Sequence, residues 1–198
     1  MICPFYRNTA RVVQNLYQQQ PPVATASPHP LRLIAPSPFF PMNPPIIQLI
    51  IQLKFQHQFS HAKALGDLLS FAIKHRWYLN KTLPDVIIPI PLHRKRLRER
   101  GFNQALEIAK PIAKSLSIPL DKHGVQRIKS TLAQSGLQAA ERKQNVANAF
   151  IVKRDYSGLS IAVIDDVITT GNTISECCRL LKQQGAKQID VWCCARRG

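Results

Sequence analysis

The chain has 198 residues and is 45% hydrophobic, which is enough to fill the core of one fair-sized domain and excludes a disordered protein. Its 27 lysine and arginine residues against 11 acidic ones give a net charge of +16, which predicts attraction to polyanions such as nucleic acids, acidic lipids or phosphorylated metabolites. The longest aliphatic run, Ile46–Leu53, is interrupted by glutamines and falls far short of the ~18–20 apolar residues that a membrane span needs. The first residues also lack the apolar stretch of a secretory signal, so we expect a cytoplasmic protein without membrane insertion.

Four of the five cysteines form the adjacent pairs Cys177–Cys178 and Cys193–Cys194. Neighbouring residues point in different directions on a strand or a helix, which does not suit a disulfide. We therefore expect reduced thiols, most of them packed in the interior.

The composition changes near residue 45. Ten of the fifteen prolines fall in residues 1–45, and the first acidic residue is Asp67. Because frequent proline removes backbone donors and blocks helix, residues 1–43 are predicted to form an irregular segment. The regular pattern that follows predicts one domain over residues 44–198.

The first half of this domain is predicted to contain two helices and a strand. Apolar residues recur every three to four positions over Ile46–Leu53 and over Ala64–Ile73, with a break near residues 56–61, which predicts two amphipathic helices. The run Val86–Ile90 is apolar, rich in β-branched residues and bounded by prolines, as is typical of a buried strand. A loop dense in arginine is expected after it.

A third helix is predicted over Gln104–Leu116, because Asn103 has the side chain of an N-cap. Pro111 should kink or divide that helix, since proline has no N–H to donate. Residues 127–150 are polar and ambiguous, and the pattern there suggests only a short helix near residues 139–146.

The last part of the chain contains the clearest strand, Ile161–Ile164, which is expected to stop at two aspartates. Thr173–Gln184 is predicted to be a helix with Gly185 as its C′ residue, and Gln188–Cys194 another strand. This order of elements predicts a parallel sheet with a right-handed crossover, and hence an α/β fold.

The window IAVIDDVITTGNT (residues 161–173) carries the most chemical information. In open α/β sheets ligands bind at the carboxyl ends of strands, and a helix N-terminus favours a phosphate. Two carboxylates there suit the hydroxyls of a ribose, or a hydrated magnesium ion beside a diphosphate. The Gly-Lys-Ser/Thr of a Walker A sequence is absent from this loop, which disfavours ordinary ATP hydrolysis.

Structural roles compete with this interpretation. Thr173 and Glu176 fit a capping box, in which they would only satisfy donors at a helix end. The two aspartates could be solvated turn residues, and an arginine cluster can be a solvated face.

The same window resembles the phosphoribosyl pyrophosphate (PRPP) signature of type I phosphoribosyltransferases. Three further blocks are similar to the ComF/GntX family of competence-associated phosphoribosyltransferase-like proteins: LIIQLKF (residues 49–55), IPIPLHRKRLRERGFNQ (residues 88–104) and a spaced set between residues 127 and 150. The resemblance implies a type I phosphoribosyltransferase fold, with a mainly parallel, twisted sheet flanked by helices.

The resemblance also implies a PRPP site in which Asp165 and Asp166, as the catalytic pair, hold the ribose 2′- and 3′-hydroxyls. The residues that would cradle the 5′-phosphate are Thr169, Thr170, Gly171, Asn172 and Thr173. A loop on the diphosphate side, with the forked donors that a leaving diphosphate requires, would comprise Pro91, Leu92, His93, Arg96 and Arg100. A lid on the acceptor side would include Arg127, Thr131, Gln134, Arg142 and Asn145.

The chain departs from the family at its start, where members carry a small zinc-binding module of paired CxxC motifs. Cys3-Pro4-Phe5-Tyr6 retains one cysteine of such a motif. Zinc needs about four ligands, so we predict no zinc and interpret residues 1–43 as a remnant of the module or as the product of an altered reading frame.

The implied reaction is attack of a nitrogen nucleophile of an unknown acceptor on the ribose C1 of PRPP while diphosphate leaves, with Mg²⁺ bound through PRPP. This favours a glycosyltransferase of the phosphoribosyltransferase type. One alternative is a PRPP-sensing module without turnover. Another is a competence protein that handles single-stranded DNA, or contacts DNA-processing proteins, through its basic surface. Direct DNA binding ranks below PRPP binding because aromatic residues are sparse among the arginines.

Overall fold

A computed structural model describes residues 31–32, 44–130 and 147–196. Its strands are β1 (Leu31–Arg32), β2 (Val86–Pro89), β3 (Val125–Arg127), β4 (Phe150–Val152), β5 (Ser160–Ile168) and β6 (Gln188–Arg196). Its helices are α1 (Pro44–Gln56), α2 (Phe59–Ala72), α3 (Arg94–Arg100), α4 (Gln104–Leu116) and α5 (Asn172–Gln183), and α2 continues as one π-helical turn, Ile73–Trp77.

Four strands form a parallel sheet in the order β1-β6-β5-β2. In its middle, Ile161 of β5 lies between Val86 of β2 and Ile189 of β6. Strands of a parallel sheet are covered on both faces, which explains why these runs are continuously apolar rather than alternating. The predicted parallel α/β architecture is confirmed.

The sheet separates two hydrophobic cores because successive residues of a strand point to opposite faces. Ala162 and Ile164 of β5 lie in the first core, with residues of α1, α2 and α4. Ile161 and Val163 lie in the second core, with residues of α5 and of the antiparallel hairpin β3–β4. Both cores therefore meet on β5, the strand that carries the two aspartates.

The two helices α2 and α4 pack closely at Gly66 and Pro111. A Cβ added at Gly66 would lie 2.3 Å from Cγ of Pro111 and 2.7 Å from the carbonyl oxygen of Ile108. The proline ring thus occupies the space that a side chain at position 66 would need. The prediction that Pro111 divides α4 is wrong, since the helix runs unbroken from residue 104 to residue 116.

Two boundaries also differ from the sequence prediction. The loop expected after β2 is helix α3, which His93 caps at its start and Gly101, at φ +80°, ends in the left-handed region. Its arginine, lysine, leucine and glutamate residues all have high helix propensity, which outweighs the like charges. Strand β5 does not stop at the aspartates, because Val167 and Ile168 still pair with Ala195 and Arg196 of β6.

Within the segment predicted to be irregular, Leu31 and Arg32 pair in parallel with Ile189 and Asp190 of β6. The short helix predicted near residues 139–146 lies outside the described residues. No helix in the described part of the chain is long and apolar enough to cross a membrane.

Candidate functional site

The candidate site lies at the carboxyl ends of β5 and β2. Asp165 and Asp166 are near the end of β5, and Ile90 continues the pairing beyond β2 by donating its N–H to the carbonyl of Ile164, at 2.8 Å. The two aspartates are adjacent on β5 but have different surroundings, since Asp166 contacts residues of α1 and α4 and Asp165 lies in the field of Arg127 of β3.

Asp166 is buried and is held by one ion pair and one hydrogen bond, which come from different helices. Its side chain is 5% exposed, and its Oδ2 forms an ion pair with Nζ of Lys54 at the end of α1. Its Oδ1 accepts a hydrogen bond from Nε2 of Gln104, the first residue of α4, at 3.1 Å. Both carboxylate oxygens are thus engaged by the protein itself.

The network continues from Gln104 into the arginine-rich helix α3. Nη1 of Arg100 donates a hydrogen bond to Oε1 of Gln104 at 2.7 Å. Burial lowers the pKa of Arg100, as does the charge of Arg96, while the nearby carboxylate of Asp166 opposes both effects. Arg100 is therefore the arginine of α3 that the structure connects to the aspartates.

The remaining residues predicted for the diphosphate side lie along the connection between β2 and α3. Pro91, Leu92 and His93 are half-buried, and Nδ1 of His93 accepts a hydrogen bond from the N–H of Lys95 at the start of α3, at 3.3 Å. Arg96 is exposed and lies 3.8 Å from Glu99. His93 thus has the role of a helix cap, and Arg96 faces solvent.

Asn103 fixes the start of α4 relative to the sheet. Its Oδ1 accepts a hydrogen bond from the N–H of Ala105, at 3.0 Å, which confirms the predicted N-cap. Its Nδ2 donates to the carbonyl of Ile90, also at 3.0 Å. Asn103 therefore fixes the end of β2 relative to Gln104, the residue that contacts Asp166.

Asp165 is less buried than Asp166 and has other neighbours. It is half-buried, and its Oδ1 accepts the N–H of Asp166 at 2.9 Å. Burial and the charge of Asp166 raise the pKa of Asp165 well above its usual range. Arg127 of β3, whose guanidinium lies 5.5 Å from the centre of the Phe150 ring, attracts this carboxylate. The structure thus brings Arg127, predicted on the acceptor side, to the aspartate pair.

The predicted phosphate loop connects β5 to α5. Thr169 and Thr170 are exposed, and Gly171 turns the chain at φ +75°, in the left-handed region that glycine adopts readily. Asn172 and Thr173 form the first turn of α5, and no side chain of the described residues caps this helix. The first N–H groups of a helix have no intrahelical partner, so this loop presents free donors beside a carboxylate pair.

The capping box considered from the sequence is not formed. Gly171 is the N-cap, and Thr173 lies inside the helix. Glu176 is bound elsewhere: it accepts the N–H of Asn148 at 2.7 Å and forms an ion pair with Arg179. The structural alternative for this loop therefore loses its main support.

Two site residues, Lys54 and Gln104, were not predicted as such. Each lies in a block similar to the family, LIIQLKF and GFNQ respectively, but neither block gives a chemical reason to expect contact with Asp166. The signal available was that Lys54 is the one charged residue of a helix that is otherwise apolar or glutamine. The predicted residues outside the described part of the chain are Thr131, Gln134, Arg142 and Asn145.

Comparison with known proteins finds one matching domain family and several similar competence and DNA utilization proteins. The phosphoribosyl transferase domain family matches residues 103–198. The competence protein F of Haemophilus influenzae is 39% identical over 156 residues, which cover 77% of this chain and 68% of that protein. The DNA utilization protein YhgH of Escherichia coli K12 is 38% identical over 154 residues, with the same two coverages of 77% and 68%. The competence protein ComFC of Bacillus subtilis is 32% identical over 109 residues, or 54% of this chain and 43% of that protein.

The chain also matches parts of solved structures. A glutamine PRPP amidotransferase from B. subtilis is 20% identical with a TM-score of 0.46, and the match covers 69% of this chain and 26% of that chain. A purine phosphoribosyltransferase from Pyrococcus horikoshii is 19% identical with a TM-score of 0.37, and the match covers 67% of this chain and 70% of that chain.

Proposed function

We propose that this chain, which belongs to the ComF family and has a phosphoribosyltransferase-type α/β fold, binds PRPP with Mg²⁺ in the cytoplasm and transfers its phosphoribosyl group to a nitrogen acceptor. The observation that carries this proposal is the carboxylate pair on β5, followed five residues after Asp166 by a glycine turn and a helix start without a side-chain cap among the described residues. A ribose 5-phosphate unit needs acceptors for its hydroxyls and N–H donors for its phosphate, and this segment offers both.

Each part of the site has a role in this reaction. The loop of residues 169–173 binds the 5′-phosphate through its N–H groups and hydroxyls. Asp165 and Asp166 accept hydrogen bonds from the ribose hydroxyls, which fixes C1 for attack. The nitrogen lone pair forms the new bond to C1, and the electron pair of the breaking C1–O bond leaves with diphosphate. Arg100 supplies positive charge on the α3 side of the site, where the diphosphate leaving group accumulates negative charge. The solvent-facing Arg96 adds to the positive charge there.

We expect magnesium to bind at this site mainly through the phosphates of PRPP. Within the described ranges, no group of three or more histidine, cysteine or acidic residues could hold a metal ion. A hydrated magnesium ion requires few protein ligands when phosphates supply the rest, and it would neutralise charge on the diphosphate of PRPP.

Calorimetry with PRPP and Mg²⁺ tests binding. We expect binding by the wild-type chain and a loss of at least about tenfold in the double variant Asp165→Asn/Asp166→Asn, because hydrogen bonds to charged groups are among the stronger ones. The control is Asp67→Asn, which makes the same chemical change at one carboxylate, in an ion pair with Lys63 on α2. Unchanged affinity in a folded double variant would remove the site assignment.

Diphosphate release separates an enzyme from a sensor. Steady release that requires PRPP and a nitrogen acceptor, and that the double aspartate variant lacks, supports transfer. Tight PRPP binding without release across a panel of purine, pyrimidine and amine acceptors supports a sensing module, the alternative with the same site.

One observation favours single-stranded DNA as a second candidate ligand. Arg94, Lys95 and Arg98 are exposed on α3, and the half-exposed Phe59 contacts Phe102 with ring centres 5.0 Å apart. A basic helix beside an accessible ring combines the two elements that bind single strands. Phe102 itself is buried, so Phe59, which comes from another helix, is the ring available for stacking.

Salt dependence tests this second candidate. We expect the affinity for a single-stranded oligonucleotide to fall steeply with salt, and the log–log slope to decrease by about 1.4 in the variant Arg94→Gln/Arg98→Gln. Absence of binding at low salt would reject DNA as a ligand and leave the PRPP proposal unaffected.

A further inference from the structure

Lys54 occupies an unusual place for a lysine. It lies at the end of α1, where Ile46, Ile50 and Leu53 are buried against the sheet. Its side chain is only 22% exposed, and its ammonium group pairs with the buried carboxylate of Asp166. A charge has thus been brought to the protein interior at the edge of the candidate site.

Stability alone does not explain this pair. Removing two charges from water costs about as much as their attraction returns, and well-packed apolar residues often replace a buried ion pair without loss. The pair does help to orient the Asp166 carboxylate, however, because Lys54 contacts one oxygen and Gln104 the other. With both oxygens held from different helices, the carboxylate has one orientation.

A held carboxylate can still bind a sugar. Its two oxygens have about four acceptor positions, of which the hydrogen bond from Gln104 uses one and the ion pair with Lys54 covers the Oδ2 side. Because Oδ2 is buried from solvent, the acceptor position left for a ribose hydroxyl is on Oδ1, beside the hydrogen bond from Gln104. A carboxylate that is already oriented loses little freedom on binding, which favours affinity.

We propose that Lys54 is a positioning residue of the ribose site: together with Gln104 it orients the Asp166 carboxylate so that it accepts the hydroxyls of the sugar. This inference rests on the proposed binding of PRPP and concerns how the sugar is recognised, not the transfer step. Lys54 acts through Asp166, so its effect must disappear when that carboxylate is removed.

A double-mutant cycle tests the inference. The proteins are the wild type, Lys54→Met, Asp166→Asn and the combination of both, and the probes are ribose 5-phosphate and inorganic phosphate. The ratio of the two dissociation constants measures recognition of the sugar apart from the phosphate. Because Lys54→Met alone leaves a buried carboxylate unpaired, the combined variant provides a protein without either charge.

The inference predicts a definite pattern of results. The ratio should favour ribose 5-phosphate in the wild type and fall on the order of tenfold in Lys54→Met and in Asp166→Asn. It should fall no further in the combined variant than in Asp166→Asn, because coupled residues are not additive. The matched control Lys63→Met, which removes a lysine from an exposed ion pair, should leave the ratio unchanged.

The contrary results are distinguishable. If the wild type prefers ribose 5-phosphate and Lys54→Met has the same preference, Lys54 does not position Asp166 and the PRPP proposal stands. Additive losses in the combined variant would also reject action through Asp166. If the wild type shows no preference for the sugar, the proposed function fails, and this inference fails with it.

Discussion

The glycine turn before α5 gives a prediction that separates stability from ligand binding. Gly171 and Gly158 both have φ +75°, and an added Cβ would meet only Cγ2 of Ile168, at 3.9 Å, in the first case and nothing within 4 Å in the second. Steric overlap is therefore absent at both positions. The expected cost of Gly→Ala is the left-handed conformation alone, about 1–2 kcal/mol at either position.

The two variants should thus lower the melting temperature equally, by about 2–8 °C for a chain of this size. They should differ in phosphate binding. Gly171 precedes the first N–H groups of α5, so Gly171→Ala should lower the affinity for inorganic phosphate and for ribose 5-phosphate about tenfold if one N–H contact is lost. Gly158→Ala should leave both affinities unchanged.

Calorimetric melting and titration of both variants check this reasoning. Equal destabilisation with equal, wild-type phosphate affinity would show that the turn at residue 171 does not bind phosphate. Much greater destabilisation of Gly171→Ala would show that the cost at this position is not conformational strain alone.

Three further predictions concern the scaffold. A Cβ at Gly124 would lie 1.7 Å from Oη of Tyr156, so urea unfolding should show a loss of about 3 kcal/mol for Gly124→Ala and a smaller one, about 1 kcal/mol, for Tyr156→Phe; equal losses would contradict the overlap. Burial raises the pKa of Asp121, but hydrogen bonds, including one from Tyr156, and the charge of Arg154 lower it by more. The stability it contributes is complete above its unfolded pKa and is lost as pH falls through the lower folded value, so Asp121→Asn should flatten the fall in unfolding free energy below about pH 4; an unchanged slope would exclude this. Burial raises the pKa of Cys178 to about 12, so iodoacetamide at pH 8 should modify it only after unfolding, and rapid labelling of the native protein would refute its burial.

Local patterns predicted most of the framework. The helices α1 and α2, the strand β2 and the N-cap of α4 follow from apolar spacing and from the chemistry of Asn103. The buried positions of these elements repeat at regular intervals, and burial is what the pattern records. The aspartates and the glycine turn of the phosphate loop could likewise be located from residue types alone.

Features that depend on partners distant in sequence could not be predicted. The continuation of β5 beyond Asp166 depends on the ladder with β6, and the packing of Pro111 in α4 depends on the space left by Gly66 of another helix. Lys54 and Gln104 meet Asp166 across separations of more than sixty residues, as the pairing of Gln104 with Asp166 shows. Sequence similarity marked the blocks that contain them, but only the folded chain assigns them a contact.

The different surroundings of the two aspartates have a consequence for internal motion. A sugar bound by both carboxylates would connect the layer of α1 and α4, through Asp166, to the layer of α5 and the β3–β4 hairpin, through Asp165. Local opening of either layer would then require release of the ligand. Backbone amides in α1 and in β4, which belong to different layers, should therefore gain protection from hydrogen exchange together when ribose 5-phosphate binds.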